Sequence, residues 1–255
     1  TGPTGVGKTE LAKRLSQAMS MKLVRYDMAE YQERHTVSKL IGSPPGYVGH
    51  GDGKAGDGLL IAQLEDNPNC VLLFDEVEKA HPDLMSILLS LLDEGVLTSS
   101  TGKVVSAKNA VIIMTSNLGA RDAQTNSIGF NEETYNSKAV DDAINNYFAP
   151  EFRNRLDGIV KFNALNRDDM KRIVVKFLGD LEGYVDSRHI VLRFGPELLA
   201  MLEDKGYDPK MGARPLARLI NETVKLPLAK YLLDNHGEYT IDLDWKKEKL
   251  TINGK

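Results

Sequence analysis

Residues 2–9 read Gly-Pro-Thr-Gly-Val-Gly-Lys-Thr, and this stretch decides the fold. It fills the pattern G-x-x-x-x-G-K-[ST], whose glycines let the backbone turn so tightly that several N–H groups can point at one phosphate group. In this pattern Lys8 provides a positive charge for the β- and γ-phosphates of a nucleotide, and the hydroxyl of Thr9 can hold Mg²⁺. The residues of the predicted phosphate-binding loop are Gly2, Pro3, Thr4, Gly5, Val6, Gly7, Lys8 and Thr9.

The sequence next to this loop supports the prediction. Residues 10–15, Glu-Leu-Ala-Lys-Arg-Leu, favour a helix whose N-terminus would face the phosphates and add its dipole. A chance glycine-rich turn before a helix is the alternative, and a second motif downstream disfavours it. Because such a loop should follow an apolar strand and nothing precedes Thr1, we expect a fragment of a longer protein, with the first strand missing.

Composition limits the class of protein. The 255 residues are 42% hydrophobic and 27% charged, as in ordinary globular proteins, and suffice for one large domain or two small ones. The longest apolar runs, at 71–74 and 110–114, are far too short to span a bilayer. Cys70 is the only cysteine, so we expect a buried thiol in a cytoplasmic protein with no disulfide of its own. The net charge of −4 argues against a broad nucleic-acid surface.

Strand and helix patterns alternate in the first part of the chain. Strand-like runs at 22–26, 71–74 and 110–114 are separated by helix patterns at 58–64 and 82–93. This order predicts an α/β fold, in which a parallel sheet lies between helices. Ligands of such sheets bind at the carboxyl ends of the strands.

The pattern changes after Leu165 and becomes mainly helical with a few strand-like pieces. We therefore expect a large α/β domain over residues 1–163 and a smaller, mainly helical α+β domain over residues 164–255. The helix patterns of the second part are at 166–184, 196–205 and 214–233, and its strand-like pieces are at 189–194, 238–243 and 250–252.

Two carboxylates follow the apolar run at 71–74. Asp75 would hold Mg²⁺, usually through its water shell, and Glu76 would orient and polarise the water that attacks the γ-phosphate. Hydrolysis needs one group at the metal and one at the water, and adjacent residues at a strand end can point to separate sites. The alternative, acids that merely end a strand in solvent, is disfavoured by the loop upstream.

Four further polar residues are candidates for the same site. Asn117 follows the run at 110–114, and its amide could position the attacking water or contact the γ-phosphate, although an asparagine often opens a turn. Arg153 and Arg155 are two residues apart, and a bidentate guanidinium suits the charge that develops during phosphoryl transfer. Arg214 opens a predicted helix of the second domain and could report the nucleotide state to that domain. For each arginine taken alone, a surface ion pair is the commoner role.

Together these motifs resemble the Clp/Hsp100 branch of the AAA+ ATPases. They occur in the order of that family, and the chain looks like the second ATPase module of a ClpA- or ClpB-type unfoldase, most like the ClpA type. The resemblance implies an AAA+ P-loop domain with a small C-terminal domain, ATP and Mg²⁺ as cofactors, and a homo-hexameric ring that binds ATP between neighbouring subunits. The motifs are Gly-Pro-Thr-Gly-Val-Gly-Lys-Thr, Leu-Phe-Asp-Glu-Val-Glu-Lys-Ala-His-Pro-Asp, Met-Thr-Ser-Asn, Pro-Glu-Phe-Arg-Asn-Arg-Leu-Asp and Gly-Ala-Arg-Pro-Leu-Ala-Arg. By this resemblance, the matches are Lys8 and Thr9 to Walker A, Asp75 and Glu76 to Walker B, Asn117 to sensor 1, Arg155 to the arginine finger, Arg153 to a second arginine beside it, and Arg214 to sensor 2.

The stretch 43–49, Ser-Pro-Pro-Gly-Tyr-Val-Gly, resembles the pore loop of this family. A tyrosine between glycines offers a flat apolar surface on a mobile backbone, which could grip an extended polypeptide without reading its sequence. Anchoring an ordinary surface loop is the alternative role for this tyrosine. Residues 50–58 form a longer and more glycine-rich segment than the family pattern has. The predicted gripping residues are Gly46, Tyr47, Val48 and Gly49.

An Ile-Gly-Phe tripeptide lies in the polar stretch 121–137. An exposed apolar pair in a polar loop could dock into a hydrophobic pocket of a partner, or could instead tuck into the body of the domain. Protease-partnered members of the family carry an Ile-Gly-[Phe/Leu] loop that binds the ClpP peptidase ring, and disaggregases of the ClpB type lack it. The predicted docking residues are Ile128, Gly129 and Phe130.

We therefore expect an ATP-driven unfoldase and translocase that acts on unfolded or tagged proteins and feeds a ClpP-type peptidase, with adaptor proteins as further partners. No peptidase constellation stands out, so we expect no peptidase activity of its own. Three alternatives stay open: a disaggregase that works with a DnaK-type chaperone, a nucleotide-gated scaffold without turnover, and a nucleic-acid remodeller. Glu76 disfavours the scaffold because that residue is needed only for turnover. The net negative charge and the stretch around Tyr47 disfavour a nucleic-acid remodeller. We expect neither nucleic acid nor membrane as a partner.

Overall fold

The computed structural model describes residues 1–42, 57–120, 137–185, 189–208, 211–235 and 240–254. The chain divides into two compact units. The first unit comprises residues 1–2 and 7–162, and the second comprises residues 3–6 and 163–255. Within the ranges given above, no helix is both long enough and apolar enough to cross a membrane.

The first unit is built on a parallel sheet of three strands, in the order β1 (Lys22–Asp27), β2 (Cys70–Asp75) and β5 (Val111–Met114). The central strand β2 is buried at all six residues, because it has a paired strand at each edge and belongs to the core that the helices close. Cys70, its first residue, is buried as predicted, and burial raises the pKa of its thiol. The strands of this unit are β1 (Lys22–Asp27), β2 (Cys70–Asp75), β3 (Val96–Thr98), β4 (Val104–Ser106) and β5 (Val111–Met114).

Helices with one apolar face surround this sheet. In α4, for example, Leu84, Leu88 and Leu91 recur at helical spacing and are buried in the common core. The same helix ends at Gly95, whose φ of 64° gives the left-handed cap that favours glycine. The helices are α1 (Lys8–Ala18), α2 (Arg34–Ile41), α3 (Leu59–Asp66), α4 (Asp83–Glu94), α5 (Ser137–Tyr147) and the short α6 (Pro150–Arg153), with 3-10 turns at Met28–Tyr31 and Val77–Lys79.

The strands β3 and β4 form an antiparallel hairpin that the sequence did not predict. Each strand has only three residues, which is too short for an alternating pattern to stand out. Its turn, residues 99–103, is organised by Ser99, whose hydroxyl accepts the N–H groups of Thr101 at 3.2 Å and Lys103 at 3.0 Å.

The second unit combines helices with a mixed three-stranded sheet, in the order β6 (Val191–Phe194), β7 (Thr240–Lys246) and β8 (Lys249–Gly254). Its first helix is opened by a reciprocal cap, in which Asn166 Oδ1 accepts the Asp169 N–H at 2.8 Å and Asp169 Oδ2 accepts the Asn166 N–H at 3.0 Å. The strand β6 pairs parallel with β7, and β7 pairs antiparallel with β8. The elements are α7 (Arg167–Val185), β6 (Val191–Phe194), α8 (Pro196–Lys205), α9 (Arg214–Ile220), α10 (Leu226–Asp234), β7 (Thr240–Lys246) and β8 (Lys249–Gly254).

Two predictions for this unit were wrong in detail. The single helix predicted at 214–233 is divided by a π-helical turn at Asn221–Lys225. Pro227 lies in the first turn of the α-helix that follows, where its missing N–H is tolerated, and the wider π-helical turn precedes it. The strand predicted at 189–194 begins at Val191, because His189 has a φ of 57° and turns the chain.

Candidate nucleotide-binding site

The ends of β2 and β5 bring polar residues to one edge of the sheet. Parallel pairing sets Phe74 opposite Met114, so Asp75 and Thr115 follow at neighbouring positions. Backbone hydrogen bonds continue past the strands, from Thr115 N–H to Phe74 O at 2.9 Å and from Val77 N–H to Thr115 O at 3.0 Å. This is the edge at which parallel sheets bind their ligands.

Glu76 has a left-handed backbone conformation, with φ 59° and ψ 53°. Few residues other than glycine adopt it, at a cost of about 1 kcal/mol or more, and such conformations cluster at functional sites. The Glu76 N–H donates to the hydroxyl of Thr115 at 3.0 Å, which helps to hold the conformation. Because the chain turns here, the Glu76 carboxylate contacts Asn117 and Lys79, whereas the Asp75 carboxylate contacts other side chains.

Asp75 is buried and its carboxylate has three protein partners, as an enclosed charge requires. The hydroxyl of Thr9 lies 3.2 Å from Oδ1 and 3.1 Å from Oδ2. The hydroxyl of Thr115 donates to Oδ1, and the guanidinium of the half-exposed Arg25 lies 2.7 Å from Oδ2. Thr9 at the start of α1 and Asp75 at the end of β2 are therefore direct neighbours, although they are 66 residues apart in sequence.

The side-chain amide of Asn117 joins Lys8 to Glu76. Lys8 Nζ donates to Asn117 Oδ1 at 2.8 Å and to the Gly2 carbonyl at 2.6 Å. The Nδ2 group of the same amide donates to Glu76 Oε1 at 3.1 Å. The hydrogen bonds assign the two ends of the amide, since only the oxygen can accept from the ammonium of Lys8. We call this arrangement the Lys8–Asn117–Glu76 bridge.

The 3-10 turn after β2 holds this bridge from the other side. Lys79 forms an ion pair with Glu76 Oε2, and this hydrogen bond raises the pKa of Lys79. Glu78 Oε1 accepts the backbone N–H of Asn117 at 3.0 Å. The hydroxyl of Tyr147, at the end of α5, donates to Val77 O at 3.3 Å, and burial raises the pKa of this tyrosine, with a smaller contribution from the charge of Glu78.

The residues at this edge fit a nucleotide with Mg²⁺. The hydroxyl of Thr9 and the carboxylate of Asp75 are oxygen ligands of the kind that Mg²⁺ prefers, and this ion usually takes one or two protein ligands together with phosphate oxygens. In the described part of the chain, no group of three or more His, Cys, Asp or Glu side chains could hold a metal ion alone. Gly7 caps α1 with φ 103°, and a Cβ built there meets nothing within 4 Å, so the helix start faces open space.

Two of the predicted arginines bind other partners within the first unit. Arg155 forms an ion pair with Asp93 in the last turn of α4, and Arg153 donates to Asn145 of α5. An arginine finger acts on the nucleotide of a neighbouring subunit, so contacts inside its own subunit leave that predicted role untested.

The second unit contains Arg214 and the middle of the predicted phosphate-binding loop, Pro3–Val6. Arg214 is the exposed first residue of α9. The N–H of Ala213 donates to Gly5 O at 3.3 Å. A Cβ at Gly5 would lie 2.0 Å from the Met211 carbonyl oxygen, so the close approach of these two backbones requires glycine.

Seven predicted residues lie outside the described part of the chain, and their roles stay predictions. These residues are Gly46, Tyr47, Val48, Gly49, Ile128, Gly129 and Phe130.

Four residues of the site were missed by the sequence interpretation. Thr115 and Lys79 lie within three residues of predicted site residues. The sequence signal that could have identified them is a mostly polar stretch directly after an apolar strand. Glu78 acts through a backbone N–H, which no side-chain motif reveals. Arg25 was a charged residue inside a strand pattern, and its partner Asp75 follows from the pairing of β1 with β2.

Comparison with known proteins follows the division into two units. Residues 1–159 match the family AAA domain (Cdc48 subfamily), and residues 165–241 match the C-terminal, D2-small domain, of ClpB protein. The chain resembles a solved structure of Hsp104 with ATPγS and FITC casein, with a TM-score of 0.81 and 36% identity over 99% of this chain and 44% of that one. The prediction of an α/β AAA+ domain with a small C-terminal domain is thereby confirmed.

Curated relatives of three kinds are similar to the chain. An alignment of 233 residues, 91% of the chain and 29% of the relative, is 48% identical to a ClpA homolog protein of Fuscovulum blasticum. An alignment of 259 residues, 100% of the chain and 36% of the relative, is 44% identical to the ATP-dependent Clp protease ATP-binding subunit ClpE of Bacillus subtilis. An alignment of 261 residues, 99% of the chain and 29% of the relative, is 45% identical to the chaperone protein ClpB of Rickettsia prowazekii.

The chain thus spans well under half the length of these relatives, which include a protease subunit as well as a chaperone. The family match covers more than half of the chain and includes the whole of the Lys8–Asn117–Glu76 bridge. The chain belongs to the AAA domain (Cdc48 subfamily) family and is a second ATPase module of the Clp/Hsp100 type.

Proposed function

We propose that this module drives a hexameric unfoldase and translocase that threads proteins into a ClpP-type peptidase. The observation that carries the proposal is the Lys8–Asn117–Glu76 bridge, with its distances of 2.8 Å and 3.1 Å. In this bridge one amide contacts both Lys8, for which we propose phosphate binding, and Glu76, for which we propose polarisation of the attacking water. Thr9 and Asp75, the pair that fits Mg²⁺, lie at the same edge of the sheet. A site for nucleotide binding alone would not need Glu76.

When bound, ATP with Mg²⁺ supplies the γ-phosphoryl group and a cation that neutralises charge on its β- and γ-oxygens. Lys8, whose ammonium donates to Asn117 Oδ1 and Gly2 O, would supply the positive charge for the phosphate oxygens. Thr9 and Asp75 would hold the cation through their oxygens. Glu76 accepts a proton from the attacking water at a carboxylate oxygen, and the Asn117 amide keeps that carboxylate oriented.

The ion pair between Glu76 and Lys79 bears directly on this step. One carboxylate oxygen of Glu76 accepts from Asn117 and the other accepts from Lys79. A carboxylate has about four acceptor sites, so each oxygen of Glu76 can still accept from the attacking water while Asn117 and Lys79 hold the side chain. These two contacts therefore orient Glu76 for its proposed role as the base.

Residues beyond this cluster complete the proposed site in a ring. Arg155 of one subunit neutralises charge on the nucleotide of its neighbour, with Arg153 beside it, and Arg214 reports the nucleotide state to the small domain. The proposed domains are residues 1–163 and 164–255. The family match and the order of motifs along the chain support these assignments. Unfolded or tagged proteins are the proposed substrates, with adaptor proteins as further partners.

Tyr47→Ala in the full-length protein tests the proposed substrate grip. Loss of the aromatic ring of Tyr47 removes the flat apolar surface that would hold an extended chain. We therefore expect the ratio of the unfolding rate of a tagged fluorescent protein to the ATP hydrolysis rate to fall at least about ten-fold. Both rates are measured in the same reaction. The matched control is Tyr184→Ala, an exposed tyrosine of the second unit, which should unfold the substrate as the wild type does. Equal unfolding by Tyr47→Ala and the wild type would refute the grip.

A disaggregase is the second candidate function, because ClpB of Rickettsia prowazekii is 45% identical to the chain and residues 165–241 match the small domain of ClpB. Deletion of residues 128–130 from the full-length protein separates the two. We expect the wild type to retain a ClpP ring in a pull-down with ATP, and the deletion to lose it, because an apolar anchor dominates such contacts. Unfolding without ClpP is the control and should stay unchanged. If the wild type fails to retain ClpP, the disaggregase is favoured.

A further inference from the structure

The turn of the β3–β4 hairpin contacts residues on both sides of the segment 43–56, in which Tyr47 lies. This segment is outside the described part of the chain, but the residues on either side of it are described. At the first end, the N–H of Ser100 donates to the Ile41 carbonyl oxygen, at the end of α2, at 2.9 Å. The first end is therefore fixed to the turn 99–103 by the backbone.

The second end is fixed to the same turn by side chains. The hydroxyl of Thr101 donates to Asp57 Oδ1 at 2.9 Å, and Lys103 Nζ donates to Asp57 Oδ2 at 3.2 Å. The ammonium of Lys103 also donates to Glu65 Oε2 of α3 at 2.8 Å. These hydrogen bonds lower the pKa of Asp57 and raise the pKa of Lys103, so both groups are charged around neutral pH.

Two glycines bring the ends of the segment together. Gly42 and Gly58 have φ values of 95° and 101°, which favour glycine. A Cβ on Gly58 would lie 2.4 Å from the nitrogen of Gly42 and 2.5 Å from the Leu40 carbonyl oxygen. The two backbones are thus in contact, and the segment between them starts and ends at one place.

The hairpin also connects the two halves of the candidate nucleotide site. The strand β3 follows α4, and α4 begins shortly after Glu76. The strand β4 precedes β5, which leads to Asn117 at the Lys8–Asn117–Glu76 bridge. The turn 99–103 is thus joined along the chain to both Glu76 and Asn117.

We infer that the turn 99–103 is the anchor of the Tyr47 segment, and that Lys103 positions that segment by binding Asp57 and Glu65. This inference rests on the proposed gripping role of Tyr47. Asp57 belongs to the glycine-rich stretch 50–58, to which the sequence motifs assign no role, and the anchor provides a role for it. A ring without the charge of Lys103 should therefore hydrolyse ATP but unfold less substrate for each ATP consumed.

Lys103→Met in the full-length protein tests the anchor, because methionine keeps the length of the side chain and loses the charge. We expect ATP turnover within about two-fold of the wild type. We expect at least about ten-fold more ATP consumed per unfolded substrate molecule, because a small misplacement of the gripping residues can have a large effect. Asp57→Asn should raise the ATP consumed in the same direction. Lys103→Arg, which keeps a charge able to reach both carboxylates, should restore the wild-type ratio. Lys39→Met, at an exposed lysine of α2, is the matched control and should equal the wild type.

Tyr47→Ala is run beside these variants so that the two ideas can fail separately. If Tyr47→Ala stops unfolding while Lys103→Met consumes the wild-type amount of ATP per substrate, the grip stands and the anchor is refuted. If Tyr47→Ala unfolds normally, the grip is refuted and the anchor with it. If Lys103→Arg behaves as Lys103→Met does, the charge of Lys103 is not what positions the segment, and the inference is overturned.

Discussion

Glu76→Gln should bind ATP as the wild type does and hydrolyse it about 10²–10⁴ times more slowly, the usual range for a general base. Glutamine has nearly the same shape, and its Oε1 can still accept from Asn117 Nδ2, so the nucleotide pocket is preserved. Its amide cannot take a proton from water and cannot form the ion pair with Lys79. Equilibrium binding of a fluorescent ATP analogue and single-turnover hydrolysis measure the two effects separately.

The matched control for this variant is Glu94→Gln, at an exposed glutamate that ends α4. It removes the same charge from the same unit without touching the Lys8–Asn117–Glu76 bridge, and it should hydrolyse ATP at the wild-type rate. Normal turnover by Glu76→Gln would remove Glu76 from the mechanism. Loss of ATP binding together with hydrolysis would show instead that Glu76 maintains the pocket.

Arg155→Ala should reduce hydrolysis by about 10³–10⁵ in the assembled ring, the effect of an arginine finger in small GTPases. The guanidinium binds Asp93 within its own subunit, so the proposed role requires it to act on the nucleotide of the neighbour. Removing it leaves the charge that develops on the transferred phosphoryl group without this partner. Steady-state hydrolysis is measured at protein concentrations where sedimentation shows a ring.

Mixed rings test whether Arg155 acts between subunits. An Arg155→Ala subunit retains Glu76, and a Glu76→Gln subunit retains Arg155, so a site at the boundary between them can have both groups. Mixing the two inactive proteins should therefore restore part of the wild-type rate. If mixed rings stay as inactive as either parent, Arg155 acts within its own subunit or only through Asp93. Arg172→Ala, at an exposed arginine of α7, controls for loss of a surface charge.

The central strand β2 could be predicted from sequence because its burial on both sides leaves a simple signal, and its neighbours β1 and β5 were found from shorter apolar runs. The run 71–74 has no polar residue, and the structure extends it to Cys70–Asp75. The strand at 110–114 is observed as Val111–Met114, and the strand at 22–26 as Lys22–Asp27. The helix at 82–93 is observed as Asp83–Glu94. Each of these elements is set mainly by its own apolar pattern.

Elements held by specific partners were not predictable in the same way. The helix α2 (Arg34–Ile41) buries only Val37 and Leu40, so its apolar pattern is thin. The hairpin turn 99–103 is organised by hydroxyl and ammonium groups whose partners, such as Asp57, are distant in sequence. The phosphate-binding loop and the strand-end acids were found because their chemistry restricts residue types over a short stretch. Arg25 and Lys103 act through pairs that only the folded chain brings together.

One measurement tests the central claim most directly, which is that ATP hydrolysis at this site drives the unfolding of proteins. A tagged and stably folded fluorescent protein is mixed with the full-length ring, and its loss of fluorescence is recorded with ATP and with an analogue that is not hydrolysed. The account predicts loss with ATP only, and none when every subunit carries Glu76→Gln. Equal loss with the analogue, or ATP hydrolysis by the wild type with the substrate left folded, would contradict it.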